Sequence, residues 1–179
     1  MMEFFSGGID AAKKDYCSIA NEHHFNRLQD ALKNSVSAGA EIAYGGETSQ
    51  SGLYLSPAIL TGVSYENPIM QEEIFGPILP VVKVKNLEES IDYVNNKEKP
   101  LALYLFSKKS SVHKKVLHNT SSGGMVINDC VIHHMNPHLP FGGVNNSGVG
   151  SYHGKFGFDA FSHQKAVLKS SSLSPFQIM

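Results

Sequence analysis

Ile78-Leu79-Pro80-Val81-Val82-Lys83-Val84, followed by Leu87 to Asn95, Leu101 to Phe106, Ser110 to Asn119 and Met125 to Asn128, is the stretch that decides the fold. The first, third and fifth segments are short and apolar, with several β-branched residues, as buried strands are. Between the first two, Leu87, Ile91 and Val94 recur at helical spacing, and Asn86 followed by Glu89 resembles a capping box. Ser110 to Asn119 reads as a second helix, and Ser121-Ser122-Gly123-Gly124 breaks the chain before the last strand. Strand, helix, strand, helix, strand with short connections implies parallel strands joined by right-handed crossovers. The expected class is α/β: three layers, a parallel sheet with helices on both faces.

Upstream, Phe25, Leu28, Leu32 and Val36 form an apolar stripe from a capping Asn21 to a terminating Gly39, an amphipathic helix. A strand over Glu41 to Tyr44 then meets the turn Gly45-Gly46, and a second extended stretch covers Tyr54 to Thr61. Downstream, Cys130 to Gly154 is rich in His, Pro, Gly and Asn with little periodicity; loops this long in a compact domain are usually functional. Phe161 to Leu168 reads as a closing strand, and Ser170 to Met179 as a frayed, Ser-rich tail.

Of the 179 residues, 41% are hydrophobic and 17% charged, ordinary values for a folded domain, and the net charge is -1. Lys and Arg are scattered, which argues against nucleic acid or an anionic membrane as partner, and no apolar run approaches the roughly 20 residues of a membrane span. Cys17 and Cys130 read as reduced thiols in a cytoplasmic protein.

Three groups of residues could carry chemistry. Glu73 and Phe75, in Gln71-Glu72-Glu73-Ile74-Phe75-Gly76-Pro77, are two residues apart and would share one side of an extended segment, a carboxylate for a hydroxyl and a ring for a flat partner. That pairing suits a nucleoside; a solvated acidic turn followed by a core Phe fits the same spacing. Pro140-Phe141-Gly142-Gly143-Val144-Asn145-Asn146-Ser147-Gly148-Val149-Gly150 matches neither a dinucleotide nor a phosphate-loop pattern, and by itself means a tight loop. Cys130 with His133, His134, His138 and His153 could be a nucleophile with a base, or a lining. It lacks the paired ligands of a structural metal site, so none is expected.

At this point family motifs accumulate. Met70 to Pro80, Glu98-Lys99-Pro100-Leu101-Ala102-Leu103-Tyr104, Thr120-Ser121-Ser122-Gly123-Gly124, Pro140-Phe141-Gly142-Gly143 and Ser151-Tyr152-His153-Gly154-Lys155 resemble, in order, the C-terminal part of class 3, fatty-aldehyde-type aldehyde dehydrogenases. The segments at His24-Phe25, Gly45-Gly46-Glu47 and Tyr54 to Leu60 resemble the family too. The resemblance implies an NAD(P)-dependent enzyme that oxidises medium- or long-chain aliphatic or aromatic aldehydes to acids. A cysteine thiolate attacks the carbonyl, hydride passes to NAD or NADP, and water activated by a glutamate releases the product. It implies that Glu73 hydrogen-bonds the nicotinamide ribose and that Phe75 packs beside the cofactor. It places Phe141, and with it His133, His134 and Met135, in the wall of the aldehyde tunnel. It also implies a homo-oligomer, a dimer, built through the last strand.

The resulting layout is a partial catalytic domain over residues 1–160, an oligomerisation strand over 161–169 and a disordered tail over 170–179. The family's nucleophilic cysteine, general-base glutamate and glycine-rich dinucleotide-binding half are expected upstream of the residues present, so no catalytic residue is assigned here and the chain alone is expected to be inactive. Asn145 stands where the family pattern has Gly; if positive φ is required there, Asn is the least costly replacement. The alternative reading is a non-catalytic short product that pairs with full-length subunits.

Overall fold

The structure, a computed structural model, describes residues 16–170, which fall into two compact units divided after Lys85.

The first unit is organised by helix α1, Glu22–Ser37. Asn21 starts it by accepting a hydrogen bond from the His24 N–H at 2.9 Å, as its position in the sequence predicts. Phe25, Leu28 and Leu32 are buried, but the stripe then turns to Ser35, and the expected Val36 is 41% exposed. Ser35 is accommodated because its Oγ donates to the Ala31 carbonyl at 2.6 Å while its own carbonyl accepts from Asn67 Nδ2 at 3.1 Å.

Strands β1 (Glu41–Tyr44), β2 (Thr48–Ser49), β3 (Tyr54–Leu55), β4 (Ala58–Thr61) and β5 (Ile78–Pro80) follow. β1 is antiparallel to β4, β4 is parallel to β5, and β2 and β3 form a small antiparallel pair. The Gly45-Gly46 turn is obligatory: a Cβ on Gly45 would lie 1.8 Å from the Pro57 carbonyl oxygen. Leu28, Leu32, Leu55, Ala58, Leu60, Ile69 and Ile78 form the core. The strand expected to reach Val84 ends at Pro80. β5 is an edge of its sheet, and after the Val81 N–H donates to the Leu60 carbonyl at 2.8 Å it has no further partner in the ladder.

The second unit contains helix α2 (Leu87–Asn95), strand β6 (Ala102–Leu105), helix α3 (Ser110–Asn119), strand β7 (Gly124–Ile127) and a short helix α4 (Gly154–Ala160). Asn86 caps α2 through its bond from the Glu89 N–H at 2.9 Å. β6 and β7 are parallel, Ala102 opposite Gly124 through Leu105 opposite Ile127, with α3 as the crossover. The fold is thus α/β, with its parallel ladders distributed over two sheets. Residues 162–170 form no strand and are exposed, Phe161 and Leu168 each at 95%. A strand needs a neighbour, and the expected closing strand finds none among the described residues. The expected tail lies, apart from Ser170, outside the described residues. Among the described residues, no helix is long and apolar enough to cross a membrane.

Candidate functional site

In the first unit, Glu73 and Phe75 lie on the loop that leads into β5. Phe75 is 78% exposed, which removes the reading of a core Phe. Its φ is +44°, so the segment is not an extended strand and strand alternation does not decide where the two side chains point. The loop is held from α1 on both sides of Glu73. Arg27 Nη2 donates to the Ile74 carbonyl at 2.7 Å and Nη1 to Glu72 Oε1 at 3.3 Å. Gly76 lies against Leu28, close enough that a Cβ there would come within 2.4 Å of Leu28 Cδ2. The sequence reading missed Arg27, because nothing local marks a residue whose partners lie 45 and 47 positions away.

In the second unit, the loop after β7 gathers a ring cluster about Phe141. Asn128 closes β7: its N–H donates to the Leu105 carbonyl at 2.7 Å and its Oδ1 accepts from the Ser107 N–H at 2.8 Å. A 3₁₀ turn, Ile132–Met135, then brings His133 and His134 toward Phe141, with ring centroids 5.5 and 6.1 Å away. Met135, on the same turn, is 67% exposed. Phe141 pairs with Tyr152 through two backbone hydrogen bonds of 3.0 Å each, and its ring stacks on His153 at 5.6 Å. Tyr104 of β6 meets the His133 ring at 6.0 Å. The sequence reading groups His153 with His133 and His134, whereas Tyr104 and Tyr152 belong to recognised motifs, and only the pairing of β6 with β7 and of Phe141 with Tyr152 shows that they meet the cluster.

The glycines explain the tightness of the cluster. A Cβ on Gly142 would lie 2.1 Å from the Gly150 carbonyl oxygen, and one on Gly123 would lie 2.2 Å from that of Gly142. Asn145 has φ +56°, so the position that departs from the family pattern does require left-handed backbone and has the side chain that tolerates it best.

Polar groups in the cluster are not all satisfied. Both ring nitrogens of His133 and Nδ1 of His153 are buried without a hydrogen-bond partner, whereas His134 Nδ1 lies 2.7 Å from the Val131 carbonyl oxygen. Cys130 and Cys17 are free and exposed. Among the described residues, no three His, Cys, Asp or Glu side chains converge so as to hold a metal ion.

The sequence pattern of the aldehyde dehydrogenase family matches residues 6–167. Aldehyde dehydrogenase family 3 member A2 of Mus musculus is 51% identical over 166 residues, 93% of this chain and 33% of that protein. The dimeric NADP-preferring aldehyde dehydrogenase of Rattus norvegicus is 48% identical over 168 residues, 93% of this chain and 36% of its own length. The chain thus spans about a third of the length of these relatives. Among solved structures, the substrate-bound state of Staphylococcus aureus AldH superimposes with a TM-score of 0.85 and 39% identity, covering 98% of this chain and 39% of the other. With motif order, sequence and fold in agreement over nearly the whole chain, it belongs to the aldehyde dehydrogenase family.

Proposed function

We propose that the chain supplies two working surfaces of an NAD(P)-dependent aldehyde dehydrogenase: the nicotinamide-ribose grip at Glu73 and Phe75, and an aldehyde-facing wall made by Phe141 with His133, His134 and Met135. One observation carries this. Among the described residues, six non-glycine residues have left-handed backbone: Leu53, Phe75, Asn128, Val131, Asn145 and His153. All but Leu53 lie in the loop before β5 or in the stretch from Asn128 to His153 that builds the Phe141 cluster. Such conformations cost about 1–3 kcal/mol each and concentrate where a function fixes the backbone.

The grip fits the nucleoside end of a dinucleotide. An exposed ring on a turned, tethered backbone offers a flat apolar face at little ordering cost, and the exposed Glu73 carboxylate can accept a hydrogen bond from a ribose hydroxyl. Glu73 and Phe75 would thus hold a nicotinamide cofactor, which would supply the hydride acceptor that aldehyde oxidation needs. Phe141 and its ring cluster would exclude water from an apolar aldehyde and orient its chain, which suits medium- or long-chain aliphatic or aromatic substrates. No residue of this chain is proposed as the nucleophile: Cys130 is exposed at a surface turn, its N–H bonded to Asp129 Oδ1 at 2.7 Å. The chain by itself is therefore proposed to be inactive, with the thiolate supplied by the part of the family fold that it does not span.

A calorimetric titration of the 179-residue chain with NAD+ and with NADP+ tests the grip. Binding of either one that Phe75→Ala weakens supports it. Binding that Phe75→Ala leaves unchanged removes it.

A second reading, a partner-binding product, rests on residues 161–169, where Phe161, Val167 and Leu168 are 80–95% exposed on backbone without a ladder. Such a segment can add a strand to another subunit's sheet, which would make the chain part of a homo-oligomer. Deleting residues 161–169 would then reduce self-association in analytical ultracentrifugation; an unchanged distribution contradicts it. The setting proposed is the cytoplasm, in keeping with two free thiols.

A further inference from the structure

We propose that Arg27 is a positioning residue for the dinucleotide-facing loop: from α1, its guanidinium holds the Ile74 carbonyl and the Glu72 carboxylate, and so fixes the turn that presents Glu73 and Phe75. The proposal rests on the reading of Glu73 and Phe75 given above and adds what keeps them in place.

The geometry separates this pair from an ordinary surface ion pair. Arg27 Nη2 reaches a main-chain oxygen at 2.7 Å, a distance typical of a charge-assisted bond, while Nη1 meets Glu72 at 3.3 Å. The two acceptors flank Glu73, so the planar fork of Arg27 constrains the backbone on both sides of it. Leu28, the next residue of α1, is fully buried and underlies Gly76. Adjacent residues of one capped helix therefore hold both ends of the segment 72–76. Between these holds sits Phe75, with φ +44° and an exposed ring. A non-glycine residue does not keep that backbone unless its surroundings enforce it, and its own side chain contributes little packing here. Removing the Arg27 bond should let the loop return to ordinary backbone and let the Phe75 ring collapse toward the surface.

Nitrogen-15 relaxation and NAD+ titration on the 179-residue chain test this in wild type, Arg27→Gln, Arg27→Lys and the control Lys33→Gln on the same helix. With the hold on the Ile74 carbonyl lost, the backbone order parameters of residues 74–76 should fall from about 0.85 toward about 0.6 or below in Arg27→Gln. Those of Leu28 and Leu60 should stay as in wild type, and NAD+ should bind about tenfold more weakly. Arg27→Lys, a point charge without the fork, should fall between, and Lys33→Gln should match wild type. Should Arg27→Gln not fold, Arg27→Lys decides the matter. Unchanged order parameters at residues 74–76 overturn the proposal, as does a loosened loop with NAD+ affinity intact. If wild type binds no NAD+, the functional reading of the loop fails and this proposal fails with it, while the relaxation data still show whether Arg27 holds the loop.

Discussion

Replacing Gly142 by Ala tests the ring cluster at its tightest point. A Cβ on Gly142 would lie 2.1 Å from the Gly150 carbonyl oxygen and 2.9 Å from Ser151 Cα, both backbone atoms that cannot rotate away. Relief requires the two chain segments to part by about 1 Å, which stretches the 3.0 Å bonds between Phe141 and Tyr152 beyond hydrogen-bonding range. Two hydrogen bonds lost at about 0.5–1.5 kcal/mol each, with about 1–3 kcal/mol of overpacking, give a destabilisation of about 2–6 kcal/mol. Gly150→Ala is the natural control. Gly150 has open space where a Cβ would go and φ +76°, so it should pay only the left-handed penalty of about 1–2 kcal/mol. Urea unfolding followed by near-ultraviolet circular dichroism, which reports on the Tyr and Phe rings, measures both. A cost for Gly142→Ala no greater than that for Gly150→Ala would rule out this close packing of the two segments.

Three further outcomes are expected. Asn145→Gly should stabilise the chain by a few tenths to about 1 kcal/mol and Asn145→Val destabilise it by about 1–2 kcal/mol, because φ is +56° there; equal stabilities in thermal melts would contradict this. The Glu88 carboxyl is held below the usual range, first by the hydrogen bond from Lys115, then by a backbone N–H and the Lys115 charge. Its contribution to stability is therefore present above the ordinary Glu value and lost as pH falls through the lowered one; Lys115→Met should return the carbon-13 titration midpoint of Glu88 toward the ordinary value. Leu101, Tyr104, Phe106, Leu117 and Ile127 of the second unit are all 39–63% exposed, so the isolated chain should self-associate with rising concentration; a sharp monomer in size-exclusion chromatography over a wide concentration range would count against that.

The legible features of the fold were those in which one residue type answers a local need. Asn21 and Asn86 are read correctly as caps because a side-chain oxygen placed before an apolar period has one obvious use, and both bond the N–H three residues on. The positive φ of Asn145 is legible because the family pattern has Gly there. What the sequence does not display depends on distant neighbours. Ser35 replaces Val36 in the core because Asn67, 32 positions away, takes its carbonyl. The strand from Ile78 stops at Pro80 because β4, its one partner in the sheet, ends at Thr61, which apolar composition does not reveal. The candidate site divides in the same way. Phe141, His133 and His134 share one loop and are found together, whereas Tyr104 joins them only through strand pairing and Arg27 reaches its loop only through the packing of α1.

The decisive measurement is an activity assay on the purified chain with hexanal or benzaldehyde and NAD+ or NADP+, read as reduced cofactor formed over time. No sustained turnover is expected, since these residues would grip the nicotinamide end and line the aldehyde path without a sulfur to attack the carbonyl. Steady production of reduced cofactor, abolished by Cys130→Ala, would contradict that expectation.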